Sequence, residues 1–512
     1  MLRKSRPVGI FTCALVGLTF SGAQSAHAQS AEPPREMVAP ETPPDPIEPD
    51  VSRPPRRPLE IAVDPVLPLP PPPPPPPPPP TPTNWYVLHP GIFPEAEGFA
   101  GILQIGLAQA KAKNFYGILQ FAPYKSETET FSGIAQVGLG VTETKEEFVG
   151  GLQFALGKNK AANFSGLTQV SLYRNEVLEE FRGLGQYSLW ENEAHEFVGG
   201  FQIGTKNMST SFFGGLQLGA FNKIAVNANH VASRKYVGAV QLGAVNEVIN
   251  VPYYGLFQFG AGNVTKETDY HGIVQVGFFN RSEGDHYGLL QIGGLSFVKD
   301  EFVGLGQVGL ANIVSDDFTG GFQLGAVNAA KEFSGIGQAG LLSLAFDDFR
   351  GLFQVGGLFA GTSRFRGVAQ VAGLFNYVDK DFQGVFQIAP LNMNSRETYA
   401  FAQIGAVNVG FEEFYGTQWG VANVATEEMY GLQIGAANVA GQGKGLQIGG
   451  ANISKKFSGV TVGIVNSADE VKGLQLGLVN RTKKLRGVQI GLANASEDGG
   501  LPFIPVMNLG WE

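Results

Sequence analysis

Few side chains in this chain are spaced so that they could do chemistry together. The histidines (His27, His89, His195, His230, His271 and His286) are scattered, and no two share the short spacing that presents a pair of metal ligands. Cys13 is the only cysteine, so beyond it there is no disulfide, thiol nucleophile or Cys-based metal site. Acidic pairs recur at Glu146-Glu147, Glu179-Glu180, Asp316-Asp317, Asp347-Asp348, Glu412-Glu413 and Glu427-Glu428. Aligned on one rim they could collect Ca²⁺, which takes several carboxylate oxygens; as solvated turn charges they need no metal, and that is the expectation. There is no P-loop, GxSxG, HExxH or GGxGxD motif. The many glycines precede strand-like runs rather than phosphate-binding helices. With no nucleophile–base pair and no ligand set, the sequence predicts a protein without enzymatic activity or cofactor.

One residue type does recur at a fixed place. A glutamine ladder runs through Gln104, Gln120, Gln136 and Gln153, continues past Gln307 and Gln433, and ends at Gln475 and Gln489, with Thr461 standing in once. The spacing is mostly 16 or 17 residues and tightens to 14 near the end. An amide donates and accepts, so glutamines at one position of successive strands can bond to one another. The predicted role is structural.

The ladder is embedded in a repeated unit: aromatic-x-Gly, one or two apolar residues, Gln-apolar-Gly, and often Asn three residues later. FAGILQIG, FTGGFQLGAVN, YGLQIGAAN and VKGLQLGLVN are examples. In the tightest units Leu474, Leu476 and Leu478 alternate with Gly473, Gln475 and Gly477. Period two means strand. The earlier units carry one extra residue between the first Gly and the Gln, as a β-bulge would. Polar stretches such as KSETET and KNKAAN separate the strands and hold most of the charge.

One apolar strand and one polar turn per period predict an antiparallel meander. Closed on itself, such an all-β chain becomes a large outer-membrane-type β-barrel of about 26 strands, each long enough to cross hydrocarbon when tilted. The segment LPFIPVMNLGWE would be its closing strand. The alternative is a β-solenoid of about 25 coils, favoured by identical Gln and Asn in every repeat, which suits stacked ladders. A solenoid, however, needs a second inward-facing wall, and runs like SETET offer little apolar surface for one.

The N-terminus reads as an address. Residues 1–28 combine a basic start (Arg3, Lys4, Arg6), an apolar stretch from Val8 to Phe20 and the small-x-small site Ala26-His27-Ala28, the form of a secretory signal peptide. Residues 29–83 form a disordered Pro-rich tether that includes an unbroken proline run from Pro70 to Pro80. Such a run favours extended polyproline II and could serve as a spacer or engage a cell-wall or protein partner. Residues 84–98 are a junction and 99–512 the β-repeat domain. The chain holds 70 Gly and 32 Pro among 512 residues, only 16% charged residues, and a net charge of −9. That composition excludes a charged disordered tail, and the negative balance excludes nucleic acid as a natural partner.

The units GLQIGAAN, GLQLGLVN and GVQIGLAN resemble a bacterial surface-repeat family known from spirochaetes and other Gram-negatives, whose members reiterate GLQIGLVN-like blocks after a signal peptide. The match is good over roughly 390–512 and looser before it. The resemblance implies export to the cell surface or outer membrane and carries over no catalytic residue. The sequence therefore predicts an outer-membrane or surface β-repeat protein in contact with outer-membrane lipid, with a structural or passive pore-like role. The solenoid alternative would be a surface adhesion or interaction module.

Overall fold

The computed structural model describes residues 84–226 and 234–511; residues 1–28 and 29–83, read above as a signal peptide and a tether, lie outside the described residues. The first four strands set the pattern: β1 (Asn84–Gly91), β2 (Glu95–Gly106), β3 (Gln109–Ala122) and β4 (Lys125–Gly138). They pair in parallel, and each residue lies beside its counterpart one period later. Phe99 pairs with Phe115 and Phe115 with Phe131; Gln104 pairs with Gln120 and Gln120 with Gln136. The same register carries through to Gln418 and Gln433.

This corrects the barrel. A meander would alternate strand direction, whereas here each unit is one full lap of a parallel β-solenoid, the architecture held as the alternative. Among the described residues the only antiparallel pairing is that of the last strand, Ile504–Gly510, which lies along Gly487–Asn494. The segment expected to close a barrel is thus a strand that covers the end of a coil. The interior is packed, so the pore that a barrel would have enclosed has no lumen. The stretch read as a junction supplies β1 and the start of β2, the first rung of the solenoid.

Each lap has two walls. The first is the repeat strand from the aromatic to the glycine after Gln; the second is the polar stretch. That stretch builds a wall because it too alternates. In KSETET the inward residues are Ser126 and Thr128, and in KNKAAN they are Asn159 and Ala161, while Lys125, Lys158 and Lys160 point outward. Small residues suffice inside because the opposing wall fills the core with an aromatic and a glutamine.

The extra residue of the longer units is a bulge that turns outward. The transition makes this visible: Ala400 pairs with Gly416 and Ala402 with Thr417, so Phe401 has no counterpart and stands 70% exposed. From there on the coils are one residue shorter, and the glycine at this turn changes conformation. Gly416, Gly431, Gly445, Gly459, Gly473 and Gly487 have φ between +132° and +143°, a region L-residues rarely enter. A Cβ at Gly459 would also lie 2.0 Å from the Gly445 carbonyl oxygen. The repeated glycine is therefore a requirement of stacking as well as of the turn.

The insertion between Lys223 and Lys235 leaves the register intact: Gln217 pairs with Gln241 across it.

Candidate functional site: amide ladders inside, an apolar wall outside

The core holds three stacks. The aromatic stack runs from Phe99 through Phe115, Phe131, Phe148 and onward, with ring centroids 4.7–5.1 Å apart over most of its length, the spacing of neighbouring strands. Tyr236, Tyr253, Tyr270 and His286 occupy its middle. His286 sits fully buried between Tyr270 and Phe302. Burial, with a smaller contribution from His271, pushes its pKa down to about 3. Its Nδ1 meets Ser282 Oγ at 3.1 Å, and its Nε2 has no partner.

The glutamines form the second stack. Gln104, Gln120, Gln136, Gln153, Gln307, Gln433, Gln475 and Gln489 are all within 1% of complete burial. Each later amide donates to the one before: Gln120 Nε2 to Gln104 Oε1 at 2.9 Å, Gln153 to Gln136 at 2.9 Å, Gln307 to Gln291 at 2.7 Å, Gln433 to Gln418 at 2.7 Å and Gln489 to Gln475 at 2.8 Å. Some amides also donate across the core, as Gln104 Nε2 does to the Lys111 carbonyl at 3.1 Å. The asparagines form the third stack and run the other way. Asn159 donates to Asn175, Asn175 to Asn192 and Asn480 to Asn494, at 2.7–2.8 Å. Two rows of aligned amide dipoles pointing in opposite directions largely cancel. The last glutamine acceptor is met by Asn508 Nδ2 of the end strand at 3.2 Å. Where Thr461 interrupts the row its hydroxyl has no partner, and Ser454 Oγ takes up Gln447 Oε1 at 3.3 Å.

With amides and aromatics inside, the aliphatic residues face out. Ile118, Ile134, Leu167, Leu184 and Leu289, the bulge residues, form one exposed row; Leu107, Leu139, Leu156, Leu172 and Leu189, at the corner, form another. Between them lie half-buried residues such as Leu119 and Phe121. Ile134 is 60% exposed and Leu107 70%. Monomeric soluble proteins seldom expose apolar patches beyond a few hundred Å², and this wall continues along the solenoid.

The second wall is polar outside and neutralises itself. Lys125 bridges Glu127 at 2.7 Å and Glu143 at 2.8 Å, Lys145 reaches Glu127 at 2.7 Å, and Lys206 reaches Glu191 at 2.9 Å. Burial alone would raise the Glu127 carboxyl, but Lys125 and Lys145 outweigh it and hold it below its ordinary value.

The remaining candidates do not converge. His271 stacks outside between Tyr254 and Tyr287, His89 stacks on Tyr86, and His195 contacts Arg234. The acidic pairs lie just before the stacked position, which is an aromatic except after Glu427-Glu428, where it is Met429, and Asp348 is buried against Arg350 and Arg364. Among the described residues no three His, Asp or Glu side chains are grouped to hold a metal ion, and no helix is long and apolar enough to cross a membrane. The exposed wall was written in the sequence as the Leu/Ile/Val/Phe alternation. The asparagine stack was visible as the Asn three residues after the repeat glycine, but its place in the core was not. Comparison with family models, with curated proteins and with solved structures gave no match.

Proposed function

We propose that this chain is an exported, non-enzymatic surface interaction module, a β-solenoid whose working surface is its apolar wall. One observation carries the reading: coil after coil buries its repeat glutamine and, over most of the length, its repeat aromatic, while Leu, Ile and Val side chains stand on the outer face of the same strand. Burying those residues would stabilise the fold by about 25 cal/mol per Å², so leaving them exposed along the whole length costs stability that binding can recover. The signal-like residues 1–28, the Pro-rich stretch and the GLQIGLVN-like units support display at the surface of a Gram-negative cell. The regular core, with its side chains committed to stacking, supports a role in contact rather than catalysis.

The test has two arms. Protease added to intact cells should cleave the chain, and the purified chain should be retained on an octyl matrix at low salt. Ile134→Lys combined with Leu167→Lys should elute earlier. Complete protection in intact cells would overturn the surface assignment, and equal elution of both proteins would overturn the assignment of the wall.

A further inference from the structure

The apolar wall is an interaction surface in the reading above; its dimensions and charge order name the partner. We propose that the wall over the N-terminal rungs pairs face to face with the same wall of a second copy, about a two-fold axis that lies between the two walls and runs close to the solenoid axis. The inference rests on the wall being a binding surface and adds what binds there.

Area is the first argument. The outward part of each repeat strand spans about seven residues at ~3.3 Å, so the wall is about 23 Å wide, and rungs lie ~4.8 Å apart. Twisted sheets pack with their strands about 30° apart, and two such ribbons crossing at that angle overlap over about ten rungs. Each copy then covers about 1,000 Å², about 2,000 Å² in total, which exceeds the roughly 1,600 Å² of a standard stable interface.

Relief is the second. The bulge row alternates knobs with holes: Ile134, Leu167 and Leu184 stand out, while Gly151, Gly200 and Gly215 occupy the same position in neighbouring coils. A facing copy can seat its knobs in those holes, as the inner faces of stacked sheets interdigitate.

Charge order is the third, and it fixes the orientation. The edge where the strand begins carries exposed acids, Glu146, Glu147 and Glu179. The edge where it ends is followed by Lys125, Lys158, Arg174 and Lys206, each partly exposed and each also paired with a glutamate of its own second wall. A two-fold axis between the walls and close to the solenoid axis reverses strand direction in the partner, so the acidic edge of one copy meets the lysine-bearing edge of the other. The same acidic edge repels anionic phosphate headgroups, which disfavours a lipid bilayer as the occupant. Complementary edges chiefly set orientation and association rate, while the aliphatic rows supply the affinity.

The experiment is sedimentation velocity on the full chain at about 5 μM, a concentration at which a micromolar or tighter dimer is well populated. It is paired with flotation on zwitterionic phosphatidylcholine vesicles. The expected species has twice the 54.5 kDa chain mass. Ile134→Lys, Leu167→Lys and Leu184→Lys together should weaken the dimer about a hundredfold or more, because they place unpaired charges in a desolvated interface. These side chains point away from the core, and an unchanged far-UV circular dichroism spectrum shows that the coils are intact. Glu146→Lys with Glu147→Lys should weaken the dimer at low salt and lose that effect at high salt. A monomer that floats with vesicles overturns self-pairing while the wall remains a binding surface. A monomer that neither floats nor adheres to an octyl matrix overturns both readings. A dimer indifferent to the three lysines overturns pairing through this wall.

Discussion

Gln307→Leu tests whether the glutamine row holds the core together. Leucine is close to glutamine in size, so the substitution leaves little cavity and isolates the hydrogen bonds. Gln307 donates to Gln291 Oε1 at 2.7 Å and accepts from Gln323 Nε2 at 2.8 Å. The substitution therefore strands one acceptor and one donor in a site with no solvent access. Each orphan costs about 1–3 kcal/mol, so the expected loss is about 2–6 kcal/mol, offset in part by the better transfer free energy of leucine. In a solenoid each coil touches only its neighbours, so the loss should be local. Hydrogen exchange read by mass spectrometry should show protection falling by about thirtyfold or more in peptides covering 286–330, with rungs near Gln136 and Gln433 unchanged. The row also supplies its own control. Thr461→Gln would restore the missing amide between Gln447 and Gln475, and protection around 440–480 should rise by about tenfold, the equivalent of one net hydrogen bond. If Gln307→Leu exchanges like the parent chain, the amide row is a passenger on the aromatic stack and the reasoning fails.

Three further outcomes follow from the core. His286 is neutral in the fold, with a pKa of about 3 against an ordinary 6.5; below pH 6.5 the unfolded chain binds a proton that the folded chain refuses, so stability falls with pH by about 1.4 kcal/mol per unit until about pH 3. His286→Phe, which also removes the unpartnered Nε2, should raise the urea midpoint and shrink its drop between pH 7 and pH 4.5; an unchanged drop would contradict the assignment. Gly459→Ala must hold φ near +139° and displace the Gly445 carbonyl, and should cost about 3 kcal/mol or more, seen as lost exchange protection in 440–480; parent-like protection would contradict the stacking requirement. Phe148→Ala opens a gap between Phe131 and Phe164, whose rings each lie within 4.8 Å of its own, and should cost about 3–5 kcal/mol, read as a lower urea midpoint for the N-terminal rungs; a midpoint within error of the parent would show that the stack is not cooperative.

The local rules were legible. Leu474, Gln475 and Leu476 alternate in the sequence and in the fold, the extra residue before Gln is a bulge at Phe401, and the Gln and Asn repeats are the stacked rows that set the solenoid apart. What the sequence hid was the lap. The polar runs looked too charged to build a wall, because a wall was expected to be apolar. Ser126, Thr128, Asn159 and Ala161 show otherwise: when the facing strand brings a phenylalanine and a glutamine, the second wall needs only small residues, and its lysines and glutamates can pair outside. The usual direction of reading was inverted as well. Amides are ordinarily placed outside and aliphatics inside, but a row of amides that bond to one another loses most of the cost of burial. That freed Ile134 and Leu167 to face outward, where an aliphatic stripe reads as a lipid-facing strand. Meander and lap share one alternation and one period, and they differ only in which residue of the next period each residue meets.

That difference can be measured directly as the distance between the first and last rungs. With Cys13→Ser as background, dyes at Leu107→Cys and Leu492→Cys report it by single-molecule energy transfer. A solenoid of about two dozen rungs separated by ~4.8 Å puts these positions on the order of 110 Å apart, and transfer should be near zero. A closed meander brings its first and last strands together, and near-complete transfer would contradict the parallel coil on which the packed core and the exposed wall depend.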